Sequence, residues 1–257
     1  MRILLLSDIH ANLEALEACL AVAPAHDQVA NLGDIVGYGA SPNEVSEKSR
    51  ALGGLLVRGN HDKACTGLTN LEYFNPVAGL AALWTRQNLS PENFEFLRAL
   101  PNGPVQLEGA GAGPEQPVYL VHGSPLDEDE YIISVRDALD VLMRSGVRLT
   151  FYGHTHLQGW FGLDAENGAL AMRPGYTSSD QFEQMEVELE RDAKYLVNPG
   201  SIGQPRDGDW RAAFALYDSE RYSITFYRVP YDVKGAQKRI LAAKLPERLA
   251  TRLADGR

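Results

Sequence analysis

Five short polar clusters hold five of the chain's six histidines: Asp8-Ile9-His10, Gly33-Asp34, Gly59-Asn60-His61-Asp62, His122-Gly123 and Gly153-His154-Thr155-His156. Carboxylate, imidazole and amide side chains ligate divalent cations, and a set without sulfur favours Mn, Fe, Zn, Co or Ni over a soft-metal site. The candidates Asp8, His10, Asp34, Asn60, His122, His154 and His156 exceed what one tetrahedral ion requires. Two ions sharing a carboxylate are the economical reading, and paired ions of that kind activate water for hydrolysis.

Such ligands need strands to deliver them to one rim. Most of the clusters follow a short apolar run, at residues 3–6, 55–57, 119–121 and 149–152. Asp8 and His10 are two apart at the end of a strand, which puts both on one face where they can reach one ion, and His154 and His156 have the same spacing after another strand. Gly33 and Gly59 allow the tight turns and close backbone approach that metal loops need.

Strands are expected at 1–6, 29–32, 55–57, 118–121 and 149–152, and helices at 13–22 (capped by Asn12), 43–52, 77–87, 91–100 and 135–145. Their alternation predicts crossover units and a largely parallel sheet. Residues 103–117 read as a loop or hairpin connection, and 174–180 as a turn. Met185, Val187 and Leu189 alternate with glutamates as an exposed strand. Residues 212–217 and 223–228 form an antiparallel pair. One domain, 1–257, is expected, with a surface elaboration at about 159–195 and a helical tail at about 233–253, broken near Pro246.

A chain of 257 residues, 44% hydrophobic, can bury a large core. No run approaches the roughly 18 apolar residues of a membrane span, and the amino terminus lacks the pattern of an export signal. The two cysteines, Cys19 and Cys65, fit neither a disulfide framework nor a thiolate site, so a cytoplasmic setting is expected. The net charge of −10 argues against stable nucleic-acid or membrane binding. An anionic substrate stays compatible, because bound cations reverse the local sign.

As an ordered set, the five clusters resemble the signature blocks of the calcineurin-like metallophosphoesterase superfamily. The later run Asn198-Pro199-Gly200-Ser201-Ile202-Gly203-Gln204-Pro205-Arg206-Asp207 is similar to one in its small bacterial phosphodiesterase branch. The resemblance implies an α/β fold, a four-layer α/β/β/α sandwich with two mixed sheets. It implies Asp8, His10 and His156 on one divalent ion and Asn60, His122 and His154 on a second. Asp34 would bridge them, with water or hydroxide between. His61 matches a histidine that lies beside the phosphate without ligating metal. One position departs from the pattern: several phosphatases of the superfamily carry an orienting aspartate three residues after the bridging one, where this chain has Gly37.

The implied reaction is attack of the bridging hydroxide on phosphorus. His61 would stabilise the transition state or protonate the leaving oxygen, a transfer worth about 10²–10⁴ in rate. Asn60 and Arg206 are the candidate substrate-binding residues. Arg206 offers phosphate a bidentate fork, the alternative being an ion pair with Asp207 or Asp209, and Arg58 is equally open. The loop 198–203 is a candidate source of backbone amides for the same anion. Tyr38 and Tyr131 either line the mouth or pack. The acidic run 127–130 reads as a solvated turn that discourages polyanions, or else as a further ligand source. A small phosphorylated substrate is expected, either a phosphodiester or nucleotide-type ester, with the diester preference resting on the bacterial branch. Alternatives are a phosphomonoesterase acting on nucleotides or proteins, and a non-catalytic scaffold like the retromer subunit, which resembles this fold. Degraded ligands would mark a scaffold, and here every ligand position is filled.

Overall fold

The computed structural model describes residues 1–110, 117–164 and 168–257. Twelve strands form two six-stranded sheets. The first runs β3 (Leu55–Leu56), β2 (Gln28–Asn31), β1 (Arg2–Leu6), β11 (Ala212–Asp218), β12 (Ser223–Val229), β9 (Glu183–Glu188). The second runs β4 (Val105–Leu107), β5 (Val118–Leu120), β6 (Leu149–Phe151), β10 (Lys194–Asn198), β7 (Gly159–Asp164), β8 (Gly168–Met172).

Period-two alternation of apolar side chains builds the layers. Ile3, Leu5, Ala215, Tyr217 and Phe226 of the first sheet meet Val118, Leu120, Phe151, Trp160 and Val197 of the second in one buried cluster. The opposite face of the first sheet, through Leu4, Leu6, Phe214 and Leu216, packs on α1 (Leu13–Val22) and α2 (Pro42–Leu52). The outer face of the second sheet, through Phe161 and Leu196, packs on Ala138, Val141 and Leu142 of α6 (Val135–Arg144). The result is the four-layer α/β/β/α sandwich.

The helices start where their caps lie. Asn12 Oδ1 accepts from Ala15 N–H at 3.1 Å, and Ser90 Oγ accepts from Asn93 N–H at the head of α5 (Pro91–Arg98). Between these come α3 (Asn60–Cys65) and α4 (Pro76–Asn88), and the tail is α7 (Val233–Ala242) and α8 (Glu247–Thr251), broken before Pro246 as expected. No helix among the described residues is long and apolar enough to cross a membrane.

Two expectations need correcting. The sheets are not largely parallel: β1–β2, β2–β3, β5–β6 and β6–β10 are parallel, but the remaining pairs are antiparallel, β4–β5, β7–β8 and β11–β12 as hairpins and β7–β10, β9–β12 and β1–β11 through longer connections. The stretch 159–195 is no appendage; β7 and β8 extend the second sheet and β9 edges the first, its side chains alternately covered and exposed. Of the two readings of 103–117 the hairpin connection holds, since β4 pairs antiparallel with β5; residues 111–116 and 165–167 lie outside the described residues.

Candidate metal centre

All five clusters follow the carboxyl ends of β1, β2, β3, β5 and β6, where open α/β sheets characteristically bind ligands. The loops then depart from the simple strand picture. Asp8, His10, Asp34, His154 and His156 all have left-handed backbone, with φ of 51°, 49°, 53°, 65° and 60°. Asp and His tolerate that region better than most residues. Asp8 and His10 converge because the chain turns sharply at each of them, not because a strand continues, whereas His154 and His156, expected to behave alike, go to different ligand groups. Asn60 opens α3 instead of ending a strand. Backbone bonds tie the turns together: Asp8 N–H to Gly33 O at 3.0 Å, His10 N–H to Asp34 O at 2.9 Å and Gly203 N–H to Asp8 O at 2.9 Å. At Gly59 a Cβ would lie 2.0 Å from Asp34 Oδ1, so glycine is required for the close approach.

The donor set fits divalent metal on the geometry of its ring nitrogens. His10 Nδ1 faces Val36 O at 3.2 Å and His156 Nδ1 faces Gln204 O at 2.6 Å. With both Nδ1–H groups committed to carbonyls, the two Nε2 lone pairs confront each other at 3.1 Å, which calls for a cation. His122 is fixed the same way by Leu32 O at 2.7 Å, leaving Nε2 3.2 Å from Asn60 Oδ1 and 3.4 Å from Asp34 Oδ2. His154 is the converse: Nε2 meets Asp129 O at 3.2 Å, which leaves Nδ1 as the ligating atom. Ligand atoms of Asp8, His10, Asp34 and His156 lie within 4.8 Å of one another, as do those of Asp34, His122 and His154. Asp34 belongs to both groups.

Electrostatics follow from burial. Burial, with the charge of Asp34 adding to it, pushes Asp8 up to about 7. The same burial acts on Asp34 but is outweighed by His122, His61 and His10, which hold it well below the usual carboxylate range. For His122, burial opposes the proton, yet Asp34 and Asp8 raise it to about 10. His10 and His156 are driven well below their ordinary value by burial, and His154 falls to about 3.

His61 ligates nothing in either group. Its backbone N–H donates to Asp34 Oδ1 at 2.8 Å, and its ring is boxed by Tyr38 at 4.2 Å, His10 at 5.0 Å and Phe74 at 5.6 Å between centroids. Burial lowers it to about 4. Its Nδ1 is buried without a hydrogen-bond partner among the described residues, and Gly37 backs directly onto it, a Cβ there falling 2.6 Å from Nδ1. The neighbouring Asp62 points elsewhere, accepting from Gly59 N–H at 3.0 Å and Val36 N–H at 3.1 Å.

Arg206 is not engaged by the aspartates near it in sequence: Asp207 pairs with Arg228 and Asp209 with Arg211. Its Nη2 donates to Gln204 Oε1 at 3.1 Å and Tyr38 OH at 3.4 Å, and its buried Nε has no partner among the described residues. Arg58 is engaged, closing bidentately on Glu128. Three amides of the loop 198–203 are committed within the protein and not offered to an anion. Gly200 N–H goes to Asn198 Oδ1, Ile202 N–H to Ser7 O and Gly203 N–H to Asp8 O, so the loop braces the Asp8 turn instead. Sequence reasoning passed over Ser7, whose Oγ–H donates to Asp8 Oδ2 at 2.6 Å; its position next to a ligand was the available signal. Tyr131, read as lining the mouth or packing, does both: its ring centroid lies 3.7 Å from that of His154 and it borders an open cleft.

Comparison with known proteins agrees with this geometry. Residues 1–221 match the model of the calcineurin-like phosphoesterase superfamily domain. The chain is 38% identical over 257 residues to the uncharacterised protein MJ0912 of Methanocaldococcus jannaschii, covering 99% of this chain and 98% of that one. A crystal structure of a metallophosphoesterase from Sphaerobacter thermophilus superposes with a TM-score of 0.84 at 40% identity, over 100% of this chain and 99% of that one. The hypothetical protein PH1004 of Pyrococcus horikoshii OT3 shares the fold at a TM-score of 0.74 and 23% identity, over 100% of this chain and 98% of that one.

Proposed function

The chain belongs to the calcineurin-like phosphoesterase superfamily, and from that premise we propose that it hydrolyses a small phosphodiester or nucleotide-type ester at a dinuclear metal centre. Asp8, His10 and His156 hold one ion, Asn60, His122 and His154 the other, and Asp34 serves both. Two divalent ions supply hydroxide near neutral pH and offset charge on the phosphoryl oxygens. The observation that carries the reading is the pair of Nε2 lone pairs of His10 and His156 facing each other beside a carboxylate common to two ligand groups.

The chain's own groups then divide the work. The carbonyls of Val36, Gln204 and Leu32 fix the imidazole tautomers. His61, neutral and held by packing, presents its ring to the leaving oxygen, and Arg206 binds a phosphoryl oxygen through its spare donors. Among the described residues no carboxylate holds His61 Nδ1, so its orientation rests on steric confinement, and as a neutral ring it stabilises the leaving oxygen by a hydrogen bond instead of giving up a proton. The diester preference draws on the likeness of the 198–207 run, and a phosphomonoesterase is the second reading. Elemental analysis paired with bis-aryl and mono-aryl phosphate hydrolysis across added Mn, Ni, Co and Zn tests both. A metal-loaded preparation inert on every ester would leave the scaffold reading instead.

A further inference from the structure

Beside the metal centre opens a cleft of about 430 Å3, bordered by Asn60, His61 and His154, so an ester reacting from this side places its organic group there. The volume is within the roughly 300–1,000 Å3 of small-molecule sites and exceeds the need of a lone phosphoryl group. Aromatic rings enter it already packed on the centre's imidazoles, Tyr131 on His154 and Phe74 on His61. Its cation is answered: Lys63 Nζ donates to Glu128 Oε1 at 3.0 Å and Asp129 Oδ2 at 2.5 Å. Asn75, also on the border, uses Oδ1 to accept from Val77 N–H at 3.0 Å, which fixes the amide and leaves Nδ2 as a donor with no partner among the described residues.

We propose that this cleft binds the nucleoside portion of a nucleoside phosphate ester. The base lies against Tyr131 and Phe74, a base carbonyl or ring nitrogen accepts from Asn75 Nδ2, and the phosphorus stands over the metal centre. The assignment rests on the phosphoesterase reading and narrows it. Stacking on aromatic side chains accepts any base. A further phosphoryl group in the cleft would meet Asp129 and a lysine already neutralised, so polyphosphates are disfavoured there.

The test titrates metal-loaded protein with adenosine, thymidine and ribose by saturation-transfer NMR and calorimetry. It also compares kcat/KM for the methyl esters of adenosine 5′-phosphate and ribose 5-phosphate. Both nucleosides should bind and ribose should not, and the adenosine ester should be preferred by about tenfold or more. Phe74→Ala and Tyr131→Ala should each weaken nucleoside binding to a similar degree; Tyr131 is half exposed, so its truncation opens no core cavity. Asn75→Asp keeps the oxygen that caps α4 and removes the donor, and should weaken binding too, whereas Leu80→Ser, exposed on the same helix, should not. Nucleosides that bind no better than ribose, or bind undiminished to the aromatic variants, overturn the assignment. Equal turnover of both esters overturns it while sparing the phosphoesterase reading. Nucleoside binding without hydrolysis of any ester supports the cleft and removes that reading.

Discussion

Substituting Gly37 by alanine tests whether confinement alone holds His61. The added methyl would lie 2.6 Å from His61 Nδ1 and 3.0 Å from its Cβ and Cγ, at a backbone φ of +91°. Tyr38, His10 and Phe74 pack around the imidazole, which leaves the cleft it borders as its way out. A left-handed L-residue costs about 1–2 kcal/mol, and overpacking a tight site about 1–3 kcal/mol. The variant therefore either loses about 2–5 kcal/mol of stability or relieves the clash by turning His61 out of place. In the second case kcat falls by about 10²–10³, the loss expected when one transition-state hydrogen-bond donor is removed. Urea unfolding, elemental analysis and kcat are measured on one preparation. Metal content should hold while stability or turnover drops. Near-normal values of both would refute the reasoning. Gly37→Asp, which installs the carboxylate that some superfamily phosphatases use at this place, carries the same Cβ and should be no better.

Metal loading should release protons. His122, pushed up to about 10, and Asp8, pushed up to about 7, must both be deprotonated to coordinate. Roughly one to two protons should therefore leave per chain at pH 7, and affinity should climb with pH through that range. Calorimetry in buffers of different ionisation enthalpy counts them, and no release would contradict the ligand set. Asp34→Asn, which removes the charge common to both groups, should weaken metal binding by more than the about 10–100-fold of an outer partner; retention of normal metal content would argue against sharing. Arg206→Lys should lower kcat/KM by about 10- to 150-fold with metal content intact, the worth of a hydrogen bond to a charged group. Asp207→Ala strips Arg228, 3% exposed, of its closest carboxylate and should cost about 3–5 kcal/mol in urea unfolding. A loss under about 1 kcal/mol would show that Asp209 takes over.

Reading the centre from the chain worked because a polar ligand after an apolar run is conspicuous: Asp8 after Leu4-Leu5-Leu6, His122 after Leu120-Val121 and His154 after Phe151-Tyr152 each ended a buried segment. The turn geometry was not readable. A strand and a left-handed turn can both bring Asp8 and His10 together, and only tertiary ties such as His10 N–H to Asp34 O choose between them. Fixing the tautomers depends on the carbonyls of Val36 and Gln204, backbone groups that carry no residue signature. Helix α3 was hidden because Gly59-Asn60-His61-Asp62 scores as a metal loop, while Asp62 also bonds back to Gly59 N–H and starts a helix. The antiparallel pair at 212–217 and 223–228 was legible, but which sheet it and the strands of 159–195 join was not, since short strands do not declare their sheet.

The left-handed backbone at Asp8, His10, Asp34, His154 and His156 bears on how a ligand scan should be designed. Alanine at these five places deletes a donor and also adds backbone strain that aspartate and histidine tolerate better. At Asn60 and His122, whose φ is not positive, it deletes a donor alone. Ranked by alanine, the five would outweigh the two for reasons unrelated to coordination. Glycine replacements, which accept that conformation and carry no donor, separate the chemistry from the chain.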